Sequence, residues 1–382
     1  MTMSDQPLKV LQVIPALDAG GAERTAVDVA AAIVKAGGTA WIATKGGRLS
    51  AEAEKCGARL FGGDFDTKNP FRIWSNAALL ADLVRKEGIT IIHARSRAPA
   101  WSAWIAARRT GAKFVATYHG IYNAGNALKR YYNAIMTRGD AIIANSRFTA
   151  EHVSREHGVD LSRIVVIPRG IDIAAFTPES VTPDRVADIR RQWGLKAGKP
   201  VILLPGRLTR WKGQLDFVEA LARLPGQEFE AVLAGDPQER EGYLAELRQA
   251  IDRVKLTQKV RIPGHCSDMP AALLAADVVV APSIEPEAFG RVAVEAQAMG
   301  RPLVASRLGA QTETVVDGQT GFLFEPGSVT DMANQISRAL ALSAEEKATM
   351  ARNQRQRVLS SYTVDTMCNA TLRVYRELCH GV

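Results

Sequence analysis

A chain of 382 residues that is 47% apolar has material for two ordinary cores, and its 48 Lys/Arg against 40 Asp/Glu leave a formal net charge of +8. It contains no run of about twenty apolar residues, and residues 1–9 lack the apolar centre of a signal peptide, so a cytoplasmic protein that does not span a membrane is expected. Cys56, Cys266, Cys368 and Cys379 are scattered without a CxxC or a His/Cys cluster, which argues against a disulfide framework and against structural zinc.

The first strand-like run, residues 8–14, leads to Gly20-Gly21, after which Ala22, Ala26, Val29, Ala30 and Ile33 recur at helical spacing. A glycine pair lets backbone approach a ligand closely. The Gly-x-Gly-x-x-Gly of a dinucleotide dehydrogenase does not follow this strand. Glu23 and Arg24 fall in the first helical turn and read as structural. Asp64-x-Asp66 sits in a Gly-rich stretch and reads as a solvated turn rather than a divalent-metal site. Further β-type runs at residues 40–44, 90–93, 114–117, 141–144 and 164–167 alternate with helical stretches, the pattern of an open parallel sheet. His119 follows the run at 114–117; by numbers alone, one of six histidines is a packed or surface residue.

Charge is unevenly spread. Residues 1–178 hold 23 Lys/Arg against 15 Asp/Glu, whereas residues 179–382 hold 25 of each. Between Asn69 and Arg138, eleven basic residues, Arg95 and Arg138 among them, meet only Asp82 and Glu87. Interleaved Trp101, Trp104, Tyr131 and Tyr132 suit an interface with anionic lipid, and equally a core bordered by a solvated basic rim. Nucleic acid is not expected as a partner, because no recognition motif accompanies the charge.

Residues 176–200 read as a linker carrying one charged helix. A second series of β-type runs follows at residues 201–204, 229–234, 260–262, 278–281 and 303–305. The run at 201–204 enters Gly206-Arg207 and then Lys212-Gly213 before a helical pattern. Two cations at the end of a parallel strand suit a diphosphate, each charge-assisted bond being worth roughly 1.5–3 kcal/mol. Trp211 either stacks on a ligand or packs. Pro282 ends the run at 278–281, a loop carries Glu287, and Gly290 supplies a turn or N-cap for a helix with Val292, Ala293, Ala296 and Met299 on one side. Unpaired N–H groups at such a start suit an anionic or hydroxyl-rich ligand, and Glu287 and Glu295 can accept from vicinal hydroxyls. A bare Glu-x7-Glu also describes a surface helix with two solvated glutamates.

The segment EAFGRVAVEAQAMGRPLVAS, residues 287–306, resembles the most specific signature of the retaining glycosyltransferases of family 4, which have the GT-B fold and include lipopolysaccharide and glycolipid enzymes. The resemblance covers essentially the whole chain and implies two Rossmann-like doubly wound α/β domains facing across a cleft. It implies an acceptor domain over residues 1–175, the linker 176–200, a nucleotide-sugar domain over 201–360, and a C-terminal helix within 361–382 that packs back on the first domain. It gives Glu287 the donor-sugar hydroxyls, the backbone at Ala288, Phe289 and Gly290 the sugar and diphosphate, and Glu295 the ribose. Arg207 and Lys212 go to the pyrophosphate, Gly20-Gly21 to the neighbourhood of the donor phosphate, and His119 to the sugar near the reacting carbon. Arg169 departs from the family's usual Asn.

The implied reaction is transfer of a hexose, with retention, from a UDP-sugar or GDP-mannose to a hydroxyl of a glycolipid or lipopolysaccharide-type acceptor, with cations in place of a metal and with no cofactor. Peripheral contact with the inner face of the cell membrane is expected. Two alternatives stay open: a nucleotide-sugar 2-epimerase of the same fold, and a non-enzymatic protein that binds the membrane surface.

Overall fold

The computed structural model describes residues 7–18, 20–122, 125–224, 226, 228–238 and 240–380; the outermost residues of the domain expectations, 1–6 and 381–382, lie outside these. Two compact units divide the chain. One holds the chain up to Gly170 together with the segment from Val364, and the other is Ile171–Thr363.

The first unit is built on a parallel sheet of strands β1 (Lys9–Val13), β2 (Thr39–Thr44), β3 (Arg59–Gly62), β4 (Ile91–Ala94), β5 (Lys113–Tyr118), β6 (Ala141–Ala144) and β7 (Ile164–Val166) in the order β3-β2-β1-β4-β5-β6-β7. Strands buried on both faces read as continuous apolar runs, as Ala141-Ile142-Ile143-Ala144 does. Helices cover both faces: Leu80, Val84, Ala103 and Ala106 pack with one, and Val29, Ile33, Leu372 and Tyr375 with the other.

The second unit repeats the plan with β8 (Val201–Pro205), β9 (Glu230–Ala234), β10 (Val260–Gly264), β11 (Val278–Ala281), β12 (Leu303–Ser306) and β13 (Phe322–Phe324), ordered β10-β9-β8-β11-β12-β13. All strand pairs are parallel, and the order in which strands are added reverses between β1 and β4 in the first unit and between β8 and β11 in the second. In open α/β sheets ligands bind outside the carboxyl ends of strands at such a switch point. The loops carrying Gly20-Gly21, Arg207-Lys212 and Glu287 leave β1, β8 and β11.

Three findings differ from expectation. Strands β3 and β13 were not foreseen. Residues 176–200 belong to the second unit, where helix Pro183–Gln192 is capped by Thr182, Arg185 grips Asp268 with Nε and Nη2 at 2.8 and 2.7 Å, and Ile189 and Trp193 enter the core. The eleven basic residues do not form one face, since Arg95 is 2% exposed and bonds Gln12, while Lys113 opens β5 at the end opposite His119.

Candidate functional site

In the second unit β8 runs straight into Gly206, whose φ of 153° and contact with Gly235 bring two backbones together. A Cβ on Gly235 would stand 1.8 Å from the Gly206 carbonyl oxygen, so a side chain at 235 would force the loop open. Arg207 leaves this loop exposed and, among the described residues, has no carboxylate partner. A short 3₁₀ turn, Arg210–Lys212, then aims Lys212 inward. Gly213 closes the turn at φ 74°, where a Cβ would lie 2.0 Å from the Pro282 carbonyl; that contact holds the Lys212 turn against the end of β11.

The two expected charges meet there. Lys212 Nζ lies 2.7 Å from Glu287 Oε1, with the side chains 13% and 11% exposed. Ser283 Oγ donates to the same Oε1, and Gln311 Nε2 approaches it at 3.4 Å. The backbone of Glu287 is also pinned, its carbonyl accepting from Ala310 N at 2.9 Å. Trp211, left open between stacking and packing, supplies its ring to Lys212 Nζ at 4.4 Å from the centroid. Lys212 is thus oriented by a carboxylate on one side and a π face on the other.

Gly290, at φ 77°, is the N-cap of helix Arg291–Ala298, so Ala288, Phe289 and Gly290 form the approach to a helix start. The Phe289 ring turns away and packs edge-on against Tyr362, 5.9 Å between centroids. Glu295 is buried one turn in. Arg291 Nε donates to its Oε1 at 2.5 Å, and desolvation, outweighing Arg291, raises its pKa above the usual glutamate range. The four charged candidates of this unit therefore divide into an inward Lys212–Glu287 pair, a buried Glu295 and an exposed Arg207.

In the first unit Gly20 caps helix Gly21–Lys35 in an extended conformation. A Cβ on Gly21 would sit 2.5 Å from Arg169 Nη1, so the glycine admits the guanidinium. Arg169 Nη2 in turn donates to the His119 carbonyl oxygen at 3.0 Å, and Asn145 Nδ2 approaches the same oxygen at 3.3 Å. Gly21, Arg169 and His119 are thus brought together. Both ring nitrogens of His119 are enclosed without a hydrogen-bond partner among the described residues. Burial first, then Arg169 and Arg95, lowers its pKa well below the histidine range, so the imidazole is neutral and able to donate from one nitrogen and accept at the other.

Sequence reasoning missed Ser283, Gln311, Arg291 and the part played by Arg169. The Arg291–Glu295 spacing of four was a readable signal once the helix was placed. Gln311, twenty-four residues from Glu287, carried none.

Comparison with known proteins places this geometry. Residues 186–357 match the family described as glycosyl transferases group 1, and residues 19–175 match glycosyltransferase family 4. A glycosyltransferase from Rickettsia africae superposes with a TM-score of 0.93 at 35% identity, over 99% of this chain and all of that one. Anabaena HepE, solved in complex with UDP-glucose, gives 0.81 at 28% identity over 96% of this chain and 99% of that one. Among curated sequences, the D-inositol 3-phosphate glycosyltransferase of Xylanimonas cellulosilytica is 31% identical over 280 residues, 69% of this chain and 66% of that protein. The chain spans about two thirds of the length of the curated relatives it matches.

Proposed function

We propose, from the premise that this chain belongs to the group 1 glycosyltransferases of family 4, that it transfers a hexose with retention from a UDP-sugar to a hydroxyl of a phosphate-bearing, membrane-associated glycolipid. The observation that carries the donor half is the Lys212–Glu287 pair where β8 and β11 diverge, beside Arg207. Cation and carboxylate there match the two ends of a sugar diphosphate. Lys212 and Arg207 neutralise the phosphates and the charge that develops on the departing diphosphate, the task a metal would otherwise perform. Glu287 accepts from sugar hydroxyls, and its bonds to Ser283 and Gln311 fix the carboxylate before ligand arrives. The N–H groups at the start of helix Arg291–Ala298 face the diphosphate, and Glu295 receives the ribose.

In the first unit neutral His119 offers a hydrogen bond to the donor sugar near the reacting carbon, and Gly20-Gly21 let backbone approach the donor phosphate. Among the described residues no carboxylate is identified as a nucleophile for a covalent intermediate, and a front-face displacement accounts for retention. The complexes of HepE with UDP and UDP-glucose support a uridine donor.

The acceptor has a second reading, favoured by the curated relatives named D-inositol 3-phosphate glycosyltransferase: a small phosphorylated polyol. Both acceptors are anionic, which agrees with the excess of 23 basic over 15 acidic residues in residues 1–178. The donor reading is tested by thermal unfolding with a panel of nucleotide sugars. A UDP-sugar at a hundred times its dissociation constant should stabilise the protein by about 2.7 kcal/mol, with EDTA present. Product analysis with that donor then compares inositol 3-phosphate with a phosphoglycolipid. Stabilisation by GDP-mannose alone, or release of an epimer or free sugar without acceptor, overturns the corresponding half.

A further inference from the structure

The first unit contains a cavity of about 1220 Å³. That exceeds the roughly 300–1,000 Å³ of ordinary small-ligand sites. Its walls are apolar: Trp101, Trp104 and Ile105 line it from helix Arg97–Thr110, and Ile73 from helix Pro70–Glu87. Its edge is formed by Trp74, Leu128 and Tyr131, exposed by 59%, 78% and 57%. With Phe71 at 87%, one turn of helix before Trp74, these are the four most exposed large apolar side chains among the described residues. Leaving such groups in water is unfavourable, and the concentration of Trp74, Leu128 and Tyr131 around one opening marks an interaction site.

Charge gives the second half of the ligand. Lys68, Arg97, Arg108, Arg109 and Lys129 line the same cavity, against Asp66. None of the five is ion-paired among the described residues, although sixteen other basic side chains are. Arg97 and Arg109 instead lie over the rings of Tyr122 and Trp74, at 4.0 and 4.7 Å from the centroids, which orders each guanidinium; Arg97 Nη1 also donates to Asn133 Oδ1 at 2.9 Å, which leaves its other N–H groups for a ligand. A cavity lined by tryptophans and by five cations against one carboxylate is complementary to an amphiphile with one negative end.

We propose that this cavity seats the hydrocarbon chain of a phosphate-bearing lipid, with the phosphate held by Arg97, Arg108 and Arg109, and that this lipid is the acceptor; the assignment rests on the glycolipid reading above. The lipid is bound as a single molecule, its chain out of the bilayer. The exposed Trp74, Leu128 and Tyr131 cover the stretch of chain nearest the headgroup.

The test uses the full chain and a lysophosphatidic acid whose acyl chain is brominated, held below its micelle concentration. Bromine quenches nearby indoles, and Trp74, Trp101 and Trp104 are three of the chain's six tryptophans. Saturable quenching is expected. Leu128→Glu and Arg109→Glu, both at exposed positions, should each weaken it at least about tenfold. Leu359→Glu, exposed on the second unit, should bind as the parent does. A monoacylglycerol of the same chain should bind about tenfold more weakly, and glycerol 3-phosphate should not compete. Unaltered binding by Leu128→Glu and Arg109→Glu, quenching confined to micelles, or full competition by glycerol 3-phosphate each overturns the proposal. Stabilisation by a UDP-sugar is measured in parallel. Donor binding without quenching sinks the cavity assignment and leaves the donor reading standing; quenching without donor binding does the reverse. Transfer to inositol 3-phosphate but to no lipid removes the acceptor role.

Discussion

Lys212 and Glu287 hold opposite charges 2.7 Å apart with little solvent around either. Removing one member of such a pair strands the other, which costs more than the pair itself contributes. Lys212→Ala should therefore lower stability by about 3 kcal/mol in urea unfolding and abolish the donor-induced thermal shift. Glu287→Ala leaves Lys212 free to approach phosphate, so donor should still bind while kcat falls about 100-fold or more, the loss typical of an interaction made in the transition state. Equal kcat in Glu287→Ala and the parent would contradict the role given to it. His119 makes a separate prediction. Burial and the neighbouring arginines depress its pKa in the folded state, so it stays neutral where a free histidine, near 6.5, gains a proton. Activity that depends on the neutral ring should hold as pH falls from 8 to about 6, with no acid limb at the ordinary histidine pKa. A loss of kcat centred on pH 6.5 would show that the ring titrates normally.

The C-terminal helix Val364–His380 shows how an element is tied down by polar as well as apolar contacts. Its Leu372 and Tyr375 enter the core beneath helix Gly21–Lys35. The Tyr375 hydroxyl meets His93 Nδ1 at 2.5 Å, and His93 Nε2 meets Thr117 Oγ1 at 2.7 Å, so both nitrogens of this buried ring are satisfied. Alongside, Arg95 Nε donates to Gln12 Oε1 at 2.8 Å, while Gln12 Nε2 donates to the Ala26 carbonyl. Tyr375→Phe leaves His93 Nδ1 unpaired in the core and should cost about 1–3 kcal/mol. Burial, then Arg95 and His119, lowers the His93 pKa, so the folded state refuses a proton that the unfolded chain accepts. The stability this represents is complete above pH 6.5 and is lost as pH falls below it, at up to about 1.4 kcal/mol per pH unit for each such histidine. Urea midpoints for the parent and Tyr375→Phe between pH 8 and 5 check both statements.

Legibility of the elements followed the length of the apolar run. Strands with continuous apolar runs, such as Val278–Ala281, were readable, because a short β-branched run closed by Pro282 suits a buried strand better than a helix. Strand β13 is three residues long between Gly321 and Glu325, and β3, Arg-Leu-Phe-Gly, is an edge strand with no fully buried residue. Neither has enough length for a period to show. The charged helix Pro183–Gln192 read as linker because its contacts, Arg185 with Asp268 and Trp193 with the core, join positions far apart in the chain. The same reason hid Gln311 from Glu287 and Arg169 from His119. Strand-end motifs and their local spacing were visible; the partners that orient them were not.

Across the whole molecule the charge is segregated, with 23 Lys/Arg against 15 Asp/Glu in residues 1–178 and 25 against 25 in the remainder. The excess does not act as one plate, since Arg95 is buried and Lys113 lies at the far end of its strand. What remains concentrated is the set of Lys68, Arg97, Arg108, Arg109 and Lys129 around one cavity, none of them in an ion pair among the described residues. Exposed charges of this kind act over a Debye length, which shrinks from about 30 Å at 0.01 M salt to about 8 Å at 0.15 M. Over that range kcat/KM for an anionic acceptor should fall several-fold, through KM, while kcat at saturating acceptor stays level. An acceptor lacking the phosphate should show a flat profile. The comparison is made at fixed, saturating nucleotide sugar, because the donor is itself an anion and Arg207 is exposed. If neutral and anionic acceptors fall together with salt, the effect belongs to the donor site of the second unit, and the positive half of the chain has no part in choosing the acceptor.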